Sequence, residues 1–202
     1  MKNRCVIVGS MDVDPRIQDY LEDSFVIAAD GGLLSLDKNN ITPDLIIGDF
    51  DSLGFEPEGD NVIKHPVKKD DTDMMLAVKK AIDLGYKEII VFGGCGGRLD
   101  HTLANVNTMV YALEKDANIS ILDSENDLYI TDDDIKLSHR DKDNFSLFAI
   151  EEKAVVDIEG AEYSGSGIVI SNNTTLGVSN SFVEDEVSIN VVDGIVLIIV
   201  SK

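Results

Sequence analysis

The sequence predicts an α/β protein: an N-terminal domain built on a mainly parallel sheet, over residues 1–131, followed by a C-terminal all-β sandwich domain, over residues 132–202. Three observations carry this expectation. In the first part, short apolar runs such as Cys5-Val6-Ile7-Val8 and Ile89-Ile90-Val91-Phe92 alternate with stretches of helical periodicity, the pattern of a parallel sheet. In the second part, apolar runs follow one another with only turn residues between them, as sandwiches and barrels require. The acidic group Asp132-Asp133-Asp134 lies between the two parts and suits a linker or exposed turn.

Taken in order, Cys5-Val6-Ile7-Val8 reads as a first buried strand, followed by Gly9-Ser10. Pro15 starts a short helix that runs through Leu21. Phe25-Val26-Ile27-Ala28-Ala29 is a second strand and ends in Asp30-Gly31-Gly32. That triplet places a carboxylate at a strand end, then glycines that admit a ligand or a helix start close to the backbone. Leu33 to Lys38 reads as a short helix.

Leu45-Ile46-Ile47 is a third strand, ending in Gly48 and followed by Asp49-Phe50-Asp51-Ser52. Residues two apart on an extended segment point to the same side. Asp49 and Asp51 are therefore expected to project together from the carboxyl end of a strand, where open α/β sheets bind ligands. Like charges held that close repel unless a cation or a shared proton lies between them. Mg²⁺ suits the position, being hard and taking one or two carboxylates together with substrate phosphates. Gly-Asp-Phe-Asp-Ser is also ordinary turn chemistry, and on this stretch alone both readings stand.

Val62-Ile63 is a brief strand leading to His65-Pro66. Lys68-Lys69-Asp70-Asp71-Thr72-Asp73 precedes a helix over about 72–84, marked by Met74, Ala77, Val78, Ala81 and Ile82 and stopped by Gly85. Asp71 or Thr72 is its N-cap, and acids there also suit the helix dipole. Lys68 and Lys69 either meet phosphates or are simply solvated. The strand Glu88-Ile89-Ile90-Val91-Phe92 runs into Gly93-Gly94-Cys95-Gly96-Gly97-Arg98-Leu99-Asp100-His101. Four glycines within five residues expose backbone N–H groups that suit phosphate oxygens, and Arg98 adds a fork-shaped charged donor. The loop is neither a Walker loop nor G-x-G-x-x-G. Leu99, Leu103, Val106, Val110 and Leu113 then mark a helix from near Asp100. His101 is either a general base or phosphate donor, or a helix-start residue that orients its neighbours. His65 and His139 receive no role.

Ile119-Ser120-Ile121-Leu122 and Leu128-Tyr129-Ile130 complete the strands of the first part. Beyond them, strands are expected around Phe145, Val155, Ile168, Val187 and Ile195-Val196-Leu197-Ile198-Ile199-Val200, separated by turn pairs such as Glu159-Gly160 and Asp193-Gly194. Asp-Gly between two apolar runs predicts a hairpin.

The chain has 202 residues, with 17 Lys plus Arg against 38 Asp plus Glu and a formal charge of −21. This disfavours a nucleic-acid or acidic-membrane partner, which needs basic patches. An anionic ligand would need local help from cations, amides or Arg. Cys5 and Cys95 form no disulfide framework and show no metal-ligand spacing. Met1-Lys2-Asn3-Arg4 leads straight into the first strand, which is too short for a signal-peptide core, and no apolar run reaches membrane-spanning length. A reducing cytoplasm is the expected location.

Four pieces in this order resemble the thiamine pyrophosphokinase (thiamine diphosphokinase) family. They are Asp30-Gly31-Gly32; Pro43-Asp44 through Gly48-Asp49-Phe50-Asp51-Ser52; Lys69-Asp70-Asp71-Thr72-Asp73; and Gly93-Gly94 through Gly97-Arg98-Leu99-Asp100-His101 with Asn105. In the second half, Gly177-Val178-Ser179-Asn180 resembles the family's Ser-Asn signature. The resemblance implies transfer of a pyrophosphoryl group from ATP to the hydroxyl of thiamine, with release of AMP. It implies Mg²⁺ held by Asp49, Asp51 and Asp70, and a catalytic set of Asp49, Asp51, Asp70, Asp73 and Asp100. Asp30, Gly31, Thr72, Gly93, Gly94, Arg98 and His101 would bind ATP alongside Asp73 and Asp100, and Ser179 and Asn180 would hold thiamine. Asp100 is one candidate to accept the hydroxyl proton. Family members are homodimers whose active site lies between the α/β half of one subunit and the β half of the other. The chain departs from the family in having no Trp and an Asn/Ser-rich stretch after Tyr163. Two alternatives remain at this stage: a pyrophosphokinase for another heterocyclic alcohol such as a hydroxymethyl pterin, and a non-catalytic nucleotide-binding sensor.

Overall fold

The computed structural model describes residues 2–68, 70–138 and 144–201. Lys69 and His139 lie outside the described residues. The chain divides after Ser124 into two compact units. The first contains strands β1 (Arg4–Val8), β2 (Ser24–Ala29), β3 (Leu45–Gly48), β4 (Val62–Lys64), β5 (Glu88–Phe92) and β6 (Asn118–Leu122). They form a parallel sheet in the order β6-β5-β1-β2-β3-β4. The central strand is an unbroken apolar run because both of its faces are covered: Cys5, Val6, Ile7 and Val8 are all fully buried. From β1 the chain builds outward through β2, β3 and β4, then returns to place β5 on the other side of β1. The strand order therefore reverses between β1 and β5, with Val8 level with both Ala28 and Phe92. A reversal of this kind opens a crevice at the carboxyl ends of the two strands.

Among the described residues three α-helices belong to this unit: α1 (Gly32–Lys38), α2 (Asp73–Asp83) and α3 (Leu99–Leu113). A 3₁₀ turn at Pro15–Tyr20 stands where a short helix is expected, capped by the Asp14 side chain. Thr72 is the N-cap of α2: its Oγ1 accepts from Met75 N at 3.2 Å. The buried face of α2, Met74, Ala77, Val78 and Ala81, is the one its periodicity predicts. Helix α3 differs. Its buried face is Asn105, Thr108, Met109 and Ala112, while Leu99 and Leu103 are 71% and 57% exposed. The polar members can be buried because each is satisfied: Asn105 Nδ2 donates to Gly94 O and Thr108 Oγ1 to Ala104 O.

Among the described residues the second unit contains only strands: β7 (Asn126–Thr131), β8 (Ile135–Ser138), β9 (Asn144–Ala149), β10 (Lys153–Glu159), β11 (Gly165–Ser171), β12 (Asn180–Ser181), β13 (Glu186–Asp193) and β14 (Val196–Ser201). Two antiparallel sheets, β12-β9-β14-β7 and β11-β10-β13-β8, share one apolar core. Phe145 and Leu147 of β9, Val156 and Ile158 of β10, Val187 and Ile189 of β13, and Val196 and Ile198 of β14 meet there. Strand β7 pairs antiparallel with β14 and falls in this unit.

The expected hairpin at Asp193-Gly194 does not form. Strand β13 pairs with β10 and β8, whereas β14 pairs with β7 and β9 in the other sheet. Both strands turn their alternate apolar residues into the shared core, which two neighbours in one sheet could also do, but here the chain crosses between sheets. Gly194 makes the corner at φ +84°, where a Cβ would stand 2.7 Å from Lys153 O. The Asp-Gly pair thus supplies a left-handed corner residue without the strand pairing. No helix among the described residues is long and apolar enough to cross a membrane.

Candidate active site

The crevice of the first unit holds a cavity of about 330 Å³. Its walls are the loop after β1 (Gly9, Ser10, Met11) and the glycine loop after β5 (Gly93, Gly94, Gly96), with Asp30 from the end of β2. The two loops are joined: Gly9 N donates to Phe92 O and Met11 N to Gly93 O. Gly93 has φ +64°, and a Cβ on it would stand 2.7 Å from Met11 O. Only glycine fits there, and the close approach lets the loop present backbone to the cavity rather than side chains.

Of the residues expected to bind nucleotide, Asp30, Thr72, Asp73, Gly93, Gly94, Arg98 and His101 line this cavity, as does Asn105. Gly31 sits ahead of α1 against Ser10. Gly9, Ser10 and Met11 received no role from the sequence. The available signal was their position after the first buried strand, but its value depends on the strand order, which local pattern does not supply.

Asp100 takes a different place from the one expected. It is exposed and pairs with the Arg98 guanidinium through two bonds, Nε to Oδ1 at 3.1 Å and Nη2 to Oδ2. His101 N also donates to its Oδ1. The hydrogen bond from Arg98 holds the Asp100 carboxyl below the usual carboxylate range and raises Arg98 above its own. A carboxylate so held is a weaker base than a free one.

The carboxylates that converge are Asp30, Asp49 and Asp51: one oxygen from each lies within 4.8 Å of the others. Asp70, expected as the third member of the group, stands exposed outside it. Asp30 joins because β2 and β3 are neighbours with Ala29 level with Ile47, and Asp30 N donates to Ile47 O at 2.8 Å. The convergence of Asp49 and Asp51 also has a cause other than strand alternation. Strand β3 ends at Gly48, and the chain turns at Phe50, which is buried at φ +66°. Asp51 N then donates to Asp49 Oδ1 at 3.2 Å. Asp30 is itself left-handed, at φ +46°. Two non-glycine residues in that region cost about 1–3 kcal/mol each. Asp30 Oδ2 accepts from Ser52 Oγ at 2.7 Å, while Oδ1 is buried without a hydrogen-bond partner. Three converging carboxylates, one of them with a buried orphan oxygen, fit a hard divalent cation.

The second unit has its own cavity, of about 740 Å³, lined by Leu147, Ile158, Ile170 and the stretch 175–180, together with Glu162, Tyr163 and Ser164. Ser179 and Asn180 are both on its wall. Ser179 is left-handed at φ +60° and donates its N–H to Ser146 Oγ. Asn180 is buried, and its amide is engaged with the backbone of Tyr163.

Two family models match this chain: the thiamin pyrophosphokinase catalytic domain over residues 17–121 and the thiamin pyrophosphokinase vitamin B1 binding domain over residues 133–196. The chain is similar to the thiamine pyrophosphokinase of Bacillus subtilis, at 25% identity over 95% of this chain and 94% of that protein. The crystal structure of thiamine pyrophosphokinase from B. subtilis superposes with a TM-score of 0.86, covering 98% of this chain and 99% of that one at 23% identity. That of the Geobacillus thermodenitrificans protein gives 0.83 at 26% identity, covering 98% and 97%. With its catalytic-domain match alone spanning just over half of its length, this chain belongs to the thiamine pyrophosphokinase family.

Proposed function

We propose that the protein transfers the pyrophosphoryl group of ATP to the hydroxyl of thiamine, giving thiamine diphosphate and AMP. The hydroxyl oxygen forms a bond to the β-phosphorus of ATP. The bond between that phosphorus and the oxygen bridging to the α-phosphate breaks, and AMP leaves with the bridging oxygen. The hydroxyl proton passes to solvent water in the same exchange. The observation that carries the reading is the cavity at the β1/β5 strand reversal, with its joined glycine loop beside the carboxylates of Asp30, Asp49 and Asp51.

Phosphoryl transfer needs positioning and charge stabilisation more than covalent help from protein. The Gly93–Gly96 backbone and Arg98 would meet phosphate oxygens, Arg98 through the guanidinium N–H groups that do not bond Asp100. Asp73 and Thr72, at the start of α2, face the same cavity. Asp30, Asp49 and Asp51 would hold Mg²⁺, which when bound neutralises charge on the ATP phosphates. Asp70 would act from outside that group. Ser179 and Asn180 belong to the thiamine-binding unit. The family match over both halves favours thiamine over a pterin alcohol, and a kinase over a non-catalytic sensor. The working form is a homodimer in the cytoplasm; two buried, unlinked cysteines suit a reducing compartment.

The test is a product assay with ATP, Mg²⁺ and thiamine. AMP and thiamine diphosphate are expected in equal amounts. AMP without thiamine diphosphate, or neither product, would overturn the proposal.

A further inference from the structure

We propose that Met11 is a modification site: hydroperoxides oxidise its thioether to the sulfoxide, and the change weakens nucleotide binding in the first cavity. The effect on nucleotide rests on the ATP reading above. Met11 belongs to the loop after β1 and lines that cavity. Its backbone is held on both sides, its N–H donating to Gly93 O at 3.2 Å and its O accepting from Ser35 Oγ at 3.2 Å. Its side chain lies over the far half of the glycine loop. Gly96 and Gly97 are both left-handed there, at φ +89° and +62°. A Cβ on Gly97 would stand 2.8 Å from Met11 Sδ and 3.4 Å from Met11 Cε, and one on Gly96 would stand 4.0 Å from Met11 Sδ. Chain neighbours apart, no other described residue comes within 4 Å of either position. On that side the Met11 thioether alone covers the two glycines.

The same residue is open to attack. Met11 is 37% exposed, whereas Met74, Met109, Cys5 and Cys95 are buried and Met75 is half-buried. Oxidation follows exposure, so Met11 is the first described sulfur a peroxide in solution meets. Its sulfur attacks the hydroxyl-bearing oxygen of the hydroperoxide. An S–O bond forms and the O–O bond breaks. The proton of the attacked oxygen passes to the leaving one, which departs as water or an alcohol. Sulfur gives up two electrons and the peroxide takes them. A soft apolar thioether thereby becomes a polar sulfoxide. Solvating the new oxygen draws the side chain off Gly96 and Gly97. Two left-handed glycines without cover have more freedom to lose when the loop closes on a phosphate, which lowers affinity.

The test treats the protein with limiting hydrogen peroxide, follows the gain of one oxygen atom at Met11 by peptide mass, and measures ATP binding by calorimetry with Mg²⁺ present. The Kd for ATP is expected to rise about tenfold in step with the oxidised fraction of Met11. Met11→Leu, close in volume and without sulfur, is compared with itself before and after peroxide, and its Kd is expected to move less than about twofold. An equal rise in Met11→Leu would put the effect on another residue and overturn the proposal, as would full oxidation of Met11 with an unchanged Kd. Wild-type protein supplies a second arm that needs no variant. Methionine sulfoxide reductases with a dithiol remove the oxygen as water and should restore the Kd. A Kd that stays high after Met11 has returned to the thioether would also overturn the proposal. The two readings separate in the untreated protein: ATP bound equally before and after oxidation defeats only the modification site, and no ATP binding without peroxide defeats the nucleotide reading with it.

Discussion

Ser52 donates its hydroxyl hydrogen to Asp30 Oδ2 across 2.7 Å, and this bond decides which oxygen of Asp30 remains. Oδ1 is left buried beside the carboxylates of Asp49 and Asp51. A buried acceptor without a donor is costly, and three like charges at that separation raise the cost further. A cation held there would relieve both at once.

Asp30→Asn should therefore lower turnover about a hundredfold or more while leaving the fold intact, since Ser52 can still donate to the amide oxygen. The readout independent of activity is thermal unfolding with and without Mg²⁺. Wild-type Tm should rise on adding the ion and that of the variant should not. An equal rise in both would remove Asp30 from the cation site.

Asp49 and Asp70 should part company. Asp49→Asn removes a member of the converging group and should abolish both the Mg²⁺-dependent rise in Tm and turnover. Asp70→Asn, at an exposed position outside the group, should retain that rise and lose less than about tenfold in kcat. If Asp70→Asn matched Asp49→Asn in both readouts, the metal set expected from the resemblance would be right and the convergence observed here would mislead.

Arg98→Ala should raise the KM for ATP about tenfold and that for thiamine less than twofold, because Arg98 lines the first cavity and not the second. Asp100→Asn should be mild. As a general base Asp100 would supply about 10²–10⁴-fold, yet the hydrogen bond from Arg98 lowers its pKa. A kcat loss of that size in Asp100→Asn would restore Asp100 as the proton acceptor. The lowered pKa also sets a sign. The pair's stabilisation is present above the unfolded carboxyl range, near pH 4, and is lost as pH falls through the lower folded value; both groups are exposed, so the effect is small.

Much of the fold was legible because buried parallel strands are continuous apolar runs, as at Cys5-Val6-Ile7-Val8 and at Ile89-Ile90-Val91-Phe92. What was not legible is what depends on remote partners. Asp193-Gly194 carries hairpin chemistry, yet β13 and β14 found partners in different sheets. Leu99 and Leu103 mark the helical period of α3 but not its buried face, which carries Asn105, bonded to Gly94 O, with Met109 and Ala112. The candidate site divides in the same way. Asp49 and Asp51 lie two apart in sequence and could be paired from it, though through the turn at Phe50 rather than an extended strand. Whether Asp30 or Asp70 joins them depends on which strand lies beside β3, a fact of topology.

Gly93→Ala should be costly in two ways, left-handed strain and contact of the new Cβ with Met11 O at 2.7 Å. Gly54 separates them, having φ +73° with nothing within 4 Å of a Cβ. Gly54→Ala should cost about 1 kcal/mol, and Gly93→Ala about 3 kcal/mol or more, equivalent to a fall in Tm of roughly 6–12 °C. Gly93→Ala should also raise the KM for ATP, and Gly54→Ala should not. Equal melting points for the two variants would mean the β1 and β5 loops separate easily and do not form a fixed cradle.

Cys5 gives the chain a pH dependence unrelated to the site. It is fully buried in the central strand. Burial, assisted by the Asp44 charge and opposed by Lys2, pushes its thiol far above the ordinary range. The unfolded chain releases that proton near pH 8.5, while the folded chain keeps it. Stability from this source is thus complete below about pH 8.5 and declines as pH rises toward the folded value, by up to about 1.4 kcal/mol per pH unit. Tyr86 is also raised, chiefly by burial, so the comparison should stay below about pH 9.5, short of the ordinary tyrosine range. Urea unfolding between about pH 7.5 and 9.5 should show the decline in wild type and a shallower one in Cys5→Ala. Identical slopes would mean that the thiol ionises as readily in the folded chain as in the unfolded one, which requires water to reach the central strand.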